Sequence, residues 1–197
     1  MKNPSFLVTF VAMASLAAVT ACDSSSGGGN SITCANLNFT SSGDGDIAGV
    51  WRAREICVSA VDPTVVDLCA QSTVDATITP DNLVWELRSD NTFSGSGSMT
   101  TFVAAFVPRS CADDCNEVAH DMGGTCSEKV DGCDCTATSD DTPYSGGTWK
   151  IEAGRLYYRP AGSDWWGNGV EFLIDGNNFV TKRVNGSGVA FFTIYAR

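Results

Sequence analysis

The chain has 197 residues, which is enough for one domain of ordinary size or two small ones. Its 12 basic residues stand against 23 acidic ones, and a formal net charge of −11 excludes a nucleic-acid binder that works through a basic surface. Apolar residues make up 43% of the chain, which is too many for a disordered protein. The single histidine excludes multi-histidine metal sites, and nine cysteines are an odd number for an exported chain.

The first 21 residues have the pattern of an export signal. Lys2 precedes the apolar run Phe6–Val19, whose 14 residues are too few for a membrane-spanning helix, which takes about 20. The next residues, Val19-Thr20-Ala21-Cys22, resemble the lipobox of bacterial lipoproteins. The resemblance implies cleavage before Cys22, lipidation of Cys22, and a chain anchored to a membrane of the bacterial cell envelope, on its periplasmic or external face. The alternative is an ordinary signal peptide, with Cys22 as a half-cystine.

Residues 22–46 form a predicted flexible tether between this anchor and the body of the protein. The run Asp23–Ser31 is too rich in glycine and serine to bury a core, and Thr40–Asp46 is a second polar stretch. Cys34 interrupts the tether, and a disulfide from Cys34 to the body would leave only the first dozen residues free.

From Ile47 onward the chain has the pattern of an all-β protein. Apolar and polar residues alternate over Val74–Thr79 and Leu83–Arg88, and Pro80-Asp81-Asn82 between them predicts a hairpin turn. Further strands are predicted at 47–58, 92–107, 147–151, 155–159, 169–174, 179–184 and 189–195. The total is about nine strands, with no convincing helix. Hairpin turns and late strands that are apolar on both faces favour an up-and-down barrel, and a β-sandwich is the alternative.

Three short segments resemble bacterial lipocalin-like domains. Gly49-Val50-Trp51 is similar to the G-x-W motif that opens the first strand in that family, and the other two segments are Glu86–Phe93 and Gly147–Ile151. The resemblance covers about 47–107 and 144–197. The family's Thr-Asp-Tyr segment is not evident, so the resemblance is to lipocalin-like domains rather than to lipocalins proper.

This resemblance implies a fold, a plug and a ligand class. The fold is a barrel of about eight or nine antiparallel strands. Trp51 would plug its closed end, with Arg197, or Arg183 as the substitute, packed over the indole. The cup above the plug would hold a small apolar molecule.

Residues 109–143 form an insertion between the two matching halves. They hold nine of the 23 acidic residues and five cysteines, namely Cys111, Cys115, Cys126, Cys133 and Cys135. Such a segment is expected to lack a hydrophobic core of its own and to use disulfides instead. With Cys22 set aside, eight cysteines remain, so at least one in the insertion pairs outside it, with Cys34, Cys57 or Cys69. We predict a local Cys57–Cys69 bridge, with Cys34 joined to the insertion.

A zinc site is the alternative interpretation of the insertion. Cys111-x3-Cys115 has an acceptable ligand spacing, and His120 lies nearby. We favour disulfides because an oxidising compartment converts neighbouring thiols to disulfides, and no paired C-x-x-C motif is present. We therefore predict no metal and no cofactor.

No catalytic motif is found, whether G-x-S-x-G, G-x-x-x-x-G-K or H-E-x-x-H. We predict a monomeric, non-enzymatic envelope lipoprotein that binds a small apolar molecule. The candidate ligand residues are Trp149, Tyr158, Trp165, Trp166 and Phe172. The Trp pair lies in a polar turn, and both rings are expected to pack over the barrel end, or one to cap the mouth while the other is exposed.

Two other hypotheses remain open. One is an envelope interaction or structural protein that contacts a partner, such as a basic protein, through the acidic insertion. The other, with the least support, is a hydrolytic enzyme. A cavity lined by Trp149, Tyr158 and Phe172 favours the ligand hypothesis, whereas a solid core with an exposed insertion favours the interaction hypothesis.

Overall fold

A computed structural model describes residues 32–59, 68–143, 145–184 and 189–197. The predicted export signal at 1–21 and the predicted lipidation site Cys22 lie outside the described residues. Within the described ranges, no helix is long and apolar enough to cross a membrane.

The predicted all-β class is confirmed. The described residues contain ten strands, one α-helix and a single turn of 3-10 helix at Cys34–Asn36. The strands are β1 (Gly49–Val58), β2 (Thr73–Leu87), β3 (Thr92–Pro108), β4 (Thr125–Glu128), β5 (Gly132–Asp141), β6 (Gly146–Glu152), β7 (Arg155–Pro160), β8 (Glu171–Asp175), β9 (Asn178–Val184) and β10 (Ala190–Ala196). The helix α1 spans Cys115–Met122.

All ten strands belong to one antiparallel sheet. Its main path runs β4-β5-β3-β2-β1-β10-β9-β8, and β6 pairs with both β3 and β7. The 17-residue strand β3 serves two ladders, since Thr92–Ser94 pairs with β6 and Met99–Pro108 pairs with β5. Among the described residues, β7 meets the start of β8 through the isolated bridge Leu156–Val170 instead of a ladder. The sheet is therefore not closed by a continuous ladder.

The hairpin predicted at Pro80-Asp81-Asn82 is wrong, because these residues lie inside the single strand β2. The register with β3 shifts between Asp81 and Val84, and Asn82 takes a left-handed φ of 49°. The turn residues therefore form a bulge instead of a chain reversal. Gly97 faces this bulge with a φ of +86°, and a Cβ there would lie 2.2 Å from the carbonyl oxygen of Asn82.

This contact gives a stability prediction for Gly97→Ala. Gly162 has a similar φ of +79° but no atom within 4 Å of an added Cβ, so Gly162→Ala is the matched control. We expect Gly162→Ala to lower the free energy of unfolding by about 1–2 kcal/mol through backbone strain alone. Gly97→Ala should lower the free energy of unfolding by about 1–3 kcal/mol more, because its Cβ also clashes with the backbone of Asn82. Urea unfolding of both variants measures the difference, and equal losses would contradict the packing of Gly97 against the bulge.

The insertion shares a hydrophobic core with β3, consistent with the expectation that it cannot build one from its own residues. Val118 and Met122 of α1 pack against Val107 and the fully buried Cys133. The helix was not predicted, although its ends carry ordinary signals. Asp114 caps its start by accepting a hydrogen bond from the Asn116 backbone N–H at 2.8 Å, and Gly123 ends it in the left-handed conformation. Strands β4 and β5, which also lie in the insertion, were not predicted either.

The eight described cysteines form four disulfides: Cys34–Cys57, Cys69–Cys111, Cys115–Cys133 and Cys126–Cys135. The insertion does reach outside itself, through Cys111. The predicted pairings are wrong, because Cys57 bonds Cys34 and Cys69 bonds the insertion. Sequence spacing suggested a local Cys57–Cys69 bridge, but Cys57 ends β1 beside the N-terminal segment, whereas Cys69 precedes β2 and lies beside the end of β3.

The described part of the predicted tether, residues 32–46, lies against the sheet. Besides the disulfide of Cys34, its backbone N–H donates a hydrogen bond to the Glu55 carboxylate at 2.7 Å. Phe39 packs edge-on against Phe192 of β10, with ring centroids 5.5 Å apart. This segment covers apolar residues on the outer face of the late strands, which explains why those strands are apolar on both faces.

Candidate functional site

One aromatic side chain from each of eight strands enters a common cluster, which we call the aromatic floor. Its members are Trp51, Trp85, Phe93, Trp149, Tyr158, Phe172, Phe179 and Tyr195. Trp85 is central. Its ring stacks on that of Phe93, with the centroids 5.4 Å apart, and meets the Tyr158 ring edge-on, with the centroids 4.4 Å apart. Edge-on and offset stacks of this kind stabilise aromatic pairs beyond their buried area. The floor therefore packs the inner face of the sheet at this level.

Trp51 and Arg197 form the contact that the lipocalin resemblance implies. Trp51 is completely buried, and its indole N–H donates a hydrogen bond to the carbonyl oxygen of Ile47 at 2.8 Å. The Arg197 guanidinium lies over the indole, 4.5 Å from the ring centroid, and donates to the carbonyl oxygen of Ala48 at 3.1 Å. The substitute Arg183 is exposed and lies opposite Phe191, away from Trp51.

Two of the predicted ligand residues, Trp149 and Phe172, are packed core residues. The indole N–H of Trp149 donates to the carbonyl oxygens of Arg88 and Thr92 at 3.2 and 3.0 Å, which fixes β6 to the β2–β3 turn. Phe172 has no exposed surface and contacts Phe179 at 6.2 Å. The third, Tyr158, also packs in the aromatic floor, so all three residues lie in one core cluster.

The other two predicted ligand residues, Trp165 and Trp166, lie in the connection from β7 to β8. Trp165 is 62% exposed. Lys150 Nζ and Arg159 Cζ both lie over the Trp166 ring, 4.8 and 5.1 Å from its centroid. Lys150 and Arg159 follow the inward residues Trp149 and Tyr158, so they point to the opposite, outer face of the strands. Trp166 therefore packs on the outer face, contrary to both predicted arrangements over the barrel end.

A second row of side chains follows the aromatic floor on the same inner face, and we call it the upper row. It crosses five neighbouring strands in register and consists of Thr181, Thr193, Ile56, Ile78 and Thr101. Ile56 is buried, while the other four keep accessible surface. The next position along β9 and β10 holds Arg183 and Phe191. The upper row therefore combines aliphatic side chains and hydroxyl groups, and most of its members are accessible to solvent.

Two phenols lie beneath the upper row. Burial raises the pKa of Tyr195, and hydrogen bonds with the side chains of Thr193 and Thr181 offset part of this effect. Burial also raises the pKa of Tyr158 well above its usual value, and a charge on Tyr195 would raise it further. Both phenols are therefore neutral hydrogen-bonding groups at physiological pH.

Sequence reasoning missed the upper row and Tyr195. The usable signal was the alternation of β9 and β10. Phe179 and Thr181 share a face with Thr193 and Tyr195 once the two strands are paired across their turn.

The two buried phenols predict a loss of stability in alkali. Their pKa values are raised in the fold, so the stabilisation is complete below the unfolded-state pKa near 10 and declines as the pH rises towards the folded-state pKa. In that window each tyrosine should lower the free energy of unfolding by about 1.4 kcal/mol per pH unit. Tyr195→Phe should halve the slope of a urea-unfolding series from pH 9 to 11.5. An unchanged slope in that variant would contradict the burial of Tyr195.

The insertion provides no thiolate for the alternative zinc site, because Cys111 is bonded to Cys69 and Cys115 to Cys133. In the part of the chain that the structure describes, no group of three or more His, Cys, Asp or Glu side chains is placed to hold a metal ion.

Comparison of the chain with protein-family models, with curated proteins and with solved structures finds no match.

Proposed function

We propose that this chain is a bacterial lipoprotein, anchored through a lipid on Cys22, whose lipocalin-like barrel binds a small apolar molecule without transforming it. The observation that carries the proposal is the accessible upper row above the packed aromatic floor. Aliphatic walls with a few placed hydroxyls are the usual composition of small-molecule sites. The lipobox-like Val19–Cys22, directly after an apolar export signal, supports the anchor.

The proposed barrel contains eight strands, β1, β2, β3 and β6 to β10. The two ladders of β3 support it, because the start of β3 pairs with β6 and the rest of the strand pairs with β5. The junction of β7 with β8 is the weakest link, and it carries reciprocal backbone hydrogen bonds between Leu156 and Val170 of 2.9 and 2.8 Å. Strands β4 and β5 and helix α1 then stand outside the ring as an appendage.

The upper row defines the chemistry of the proposed ligand. Ile78 and Phe191 offer apolar surface, and the hydroxyls of Thr181 and Thr193 lie among them. A ligand that is mostly apolar and carries one hydrogen-bonding group matches this lining.

The binding test uses a bulky substitution on each face of the β2–β3 ladder. Thr101 belongs to the upper row, whereas Thr77 lies on the outer face, opposite Phe102. The protein is the mature chain from residue 22 with Cys22→Ser, exported with a cleavable signal so that its disulfides form. With 1-N-phenylnaphthylamine as the fluorescent probe, we expect saturable binding that Thr101→Trp weakens at least tenfold and Thr77→Trp changes less than twofold. No saturable binding, or equal loss in both variants, would refute the proposed cup.

The anchor is tested separately, in cells. Labelled palmitate should enter the wild-type chain and should not enter Cys22→Ala. Incorporation into both, or into neither, would contradict lipidation at Cys22.

A second candidate function is an interaction with a partner protein, and one specific observation favours it. Phe102 is 44% exposed at the centre of the outer face, between Thr77 of β2 and Thr138 of β5. Three of the four disulfides brace the insertion beside it. A photo-cross-linking residue at position 102 should yield one discrete adduct in host cells if this face binds a protein, and no adduct if it does not.

A further inference from the structure

The outer face of the β6–β7 hairpin carries a group of cationic and aromatic side chains that the proposed cup does not use. We call it the cationic aromatic patch, and it consists of Lys150, Arg155, Tyr157, Arg159, Trp165 and Trp166. Lys150 lies over both the Tyr157 and Trp166 rings, at 5.5 and 4.8 Å, and Arg159 lies over Trp166 at 5.1 Å. Cation–π contacts of this kind hold the cations and the indole as one unit.

The charges of the patch are only partly neutralised. Lys150 pairs with Glu152 at 2.6 Å. Arg155 and Arg159 donate to neutral partners, the carbonyl oxygen of Gly169 and the hydroxyl of Thr148, at 3.1 and 3.3 Å. Trp165, next to Trp166, presents a large apolar ring that is 62% exposed.

The charge of the whole chain is distributed unevenly about this patch. Residues 146–197 contain six basic and four acidic residues, a net charge of +2, although the chain as a whole carries −11. The insertion, 109–143, contains two basic and nine acidic residues, a net charge of −7. An anionic surface therefore attracts the C-terminal strands and repels the insertion.

The N-terminal end of the described chain lies beside β8. Ile32 borders a surface depression of about 360 Å³ that is shared with Leu173 and Asp175 of β8, and β8 is the strand that follows β7. Nine residues separate Ile32 from Cys22. Ten peptide units span at most about 35 Å, so a lipid on Cys22 holds Ile32 within that distance of the bilayer.

We propose that the cationic aromatic patch rests on the headgroups of an anionic phospholipid bilayer, with the insertion directed away from the membrane. The patch combines the two side-chain classes that suit this surface. Trp and Tyr are enriched at membrane–water interfaces, and Lys and Arg are attracted to anionic headgroups. The orientation rests on the proposed anchor at Cys22, but the affinity of the patch for lipid can be measured without the anchor.

The test is co-sedimentation of the mature Cys22→Ser chain with vesicles of equal parts phosphatidylglycerol and phosphatidylcholine, and with vesicles of phosphatidylcholine alone. Each cation adjacent to an anionic surface contributes about fivefold in partitioning, so Lys150→Gln/Arg159→Gln should bind roughly 25-fold more weakly. The matched control, Arg52→Gln/Arg109→Gln, has the same net charge but lies outside the patch, and it should bind within twofold of wild type.

A second readout separates insertion of the indoles from general charge attraction. We expect a blue shift of tryptophan fluorescence on the anionic vesicles, absent in Trp165→Ala/Trp166→Ala. No binding to anionic vesicles, or equal losses in the patch and control variants, would overturn the proposal. Binding of wild type to a soluble polyanion such as polyphosphate, without binding to vesicles, would also overturn it. Failure of palmitate labelling at Cys22 would refute the anchor and leave the vesicle result intact, so the two failures are distinguishable.

Discussion

Replacing Trp51 with alanine is expected to lower the free energy of unfolding by about 3–5 kcal/mol, the usual range for removal of a large buried aromatic side chain. The indole is completely buried, packs against Phe179 at 5.2 Å and donates a hydrogen bond to Ile47. Its loss also removes the surface on which Arg197 lies. Urea unfolding followed by far-UV circular dichroism measures the change.

Two matched variants show whether the loss of stability comes from removal of the buried Trp51 indole. Trp165→Ala deletes the same side chain from an exposed position and should change stability by less than about 0.5 kcal/mol. Arg197→Gln removes the cation over the indole and should cost about 1 kcal/mol. A small effect of Trp51→Ala, similar to that of Trp165→Ala, would contradict the packing of Trp51 in the core.

Replacing Cys69 and Cys111 together with alanine is expected to lower the free energy of unfolding by about 4 kcal/mol. This disulfide spans 42 residues, the longest separation of the four, and restriction of the unfolded chain increases with that length. In the mature Cys22→Ser chain this variant should contain no free thiol, because both partners are removed together. Urea unfolding and thiol titration under denaturing conditions measure the two quantities.

Cys57→Ala/Cys69→Ala is the control, because it removes the pair that sequence spacing alone suggests. In the structure these residues belong to different disulfides, so the variant should expose two thiols, from Cys34 and Cys111. It should also lose more stability than Cys69→Ala/Cys111→Ala. Two free thiols in Cys69→Ala/Cys111→Ala, and none in the control, would contradict the pairing described here.

The late strands could be predicted from the turn residues that bound them. The predicted bounds of β6, β7, β9 and β10 agree with the structure to within a residue or two, with Glu152-Ala153-Gly154 after β6 and Asp175-Gly176 before β9. The same signals failed at Pro80–Asn82. Turn residues indicate that the backbone leaves the extended conformation, and a bulge requires this as much as a hairpin does.

The insertion was harder to predict because its stability comes from contacts across the sequence. Only Val118, Met122 and a few neighbours are apolar, and each needs β3 and a disulfide to be buried. An eight-residue helix is too short to give a firm periodic signal, and its caps alone do not prove it. Disulfide pairing likewise depends on which strands are neighbours, which spacing does not encode.

The aromatic interior could be predicted from the sequence, but its arrangement could not. Aromatic residues on the late strands indicated an interior, and Arg197 over Trp51 followed from the lipocalin resemblance. Counting aromatics pointed to Trp149 and Phe172, which are core residues, and to Trp165 and Trp166, which lie outside. The upper row contains threonines and isoleucines, whose shared face becomes visible only when five strands are set in register.

The most direct test of the proposed function is native mass spectrometry of the chain purified from the membranes of its own host. We predict a polypeptide that begins at lipidated Cys22 and carries a non-covalent small molecule of low polarity, which is released on denaturation and absent from Thr101→Trp. A chain that carries no small molecule, or one that Thr101→Trp retains equally, would contradict a ligand site at the upper row.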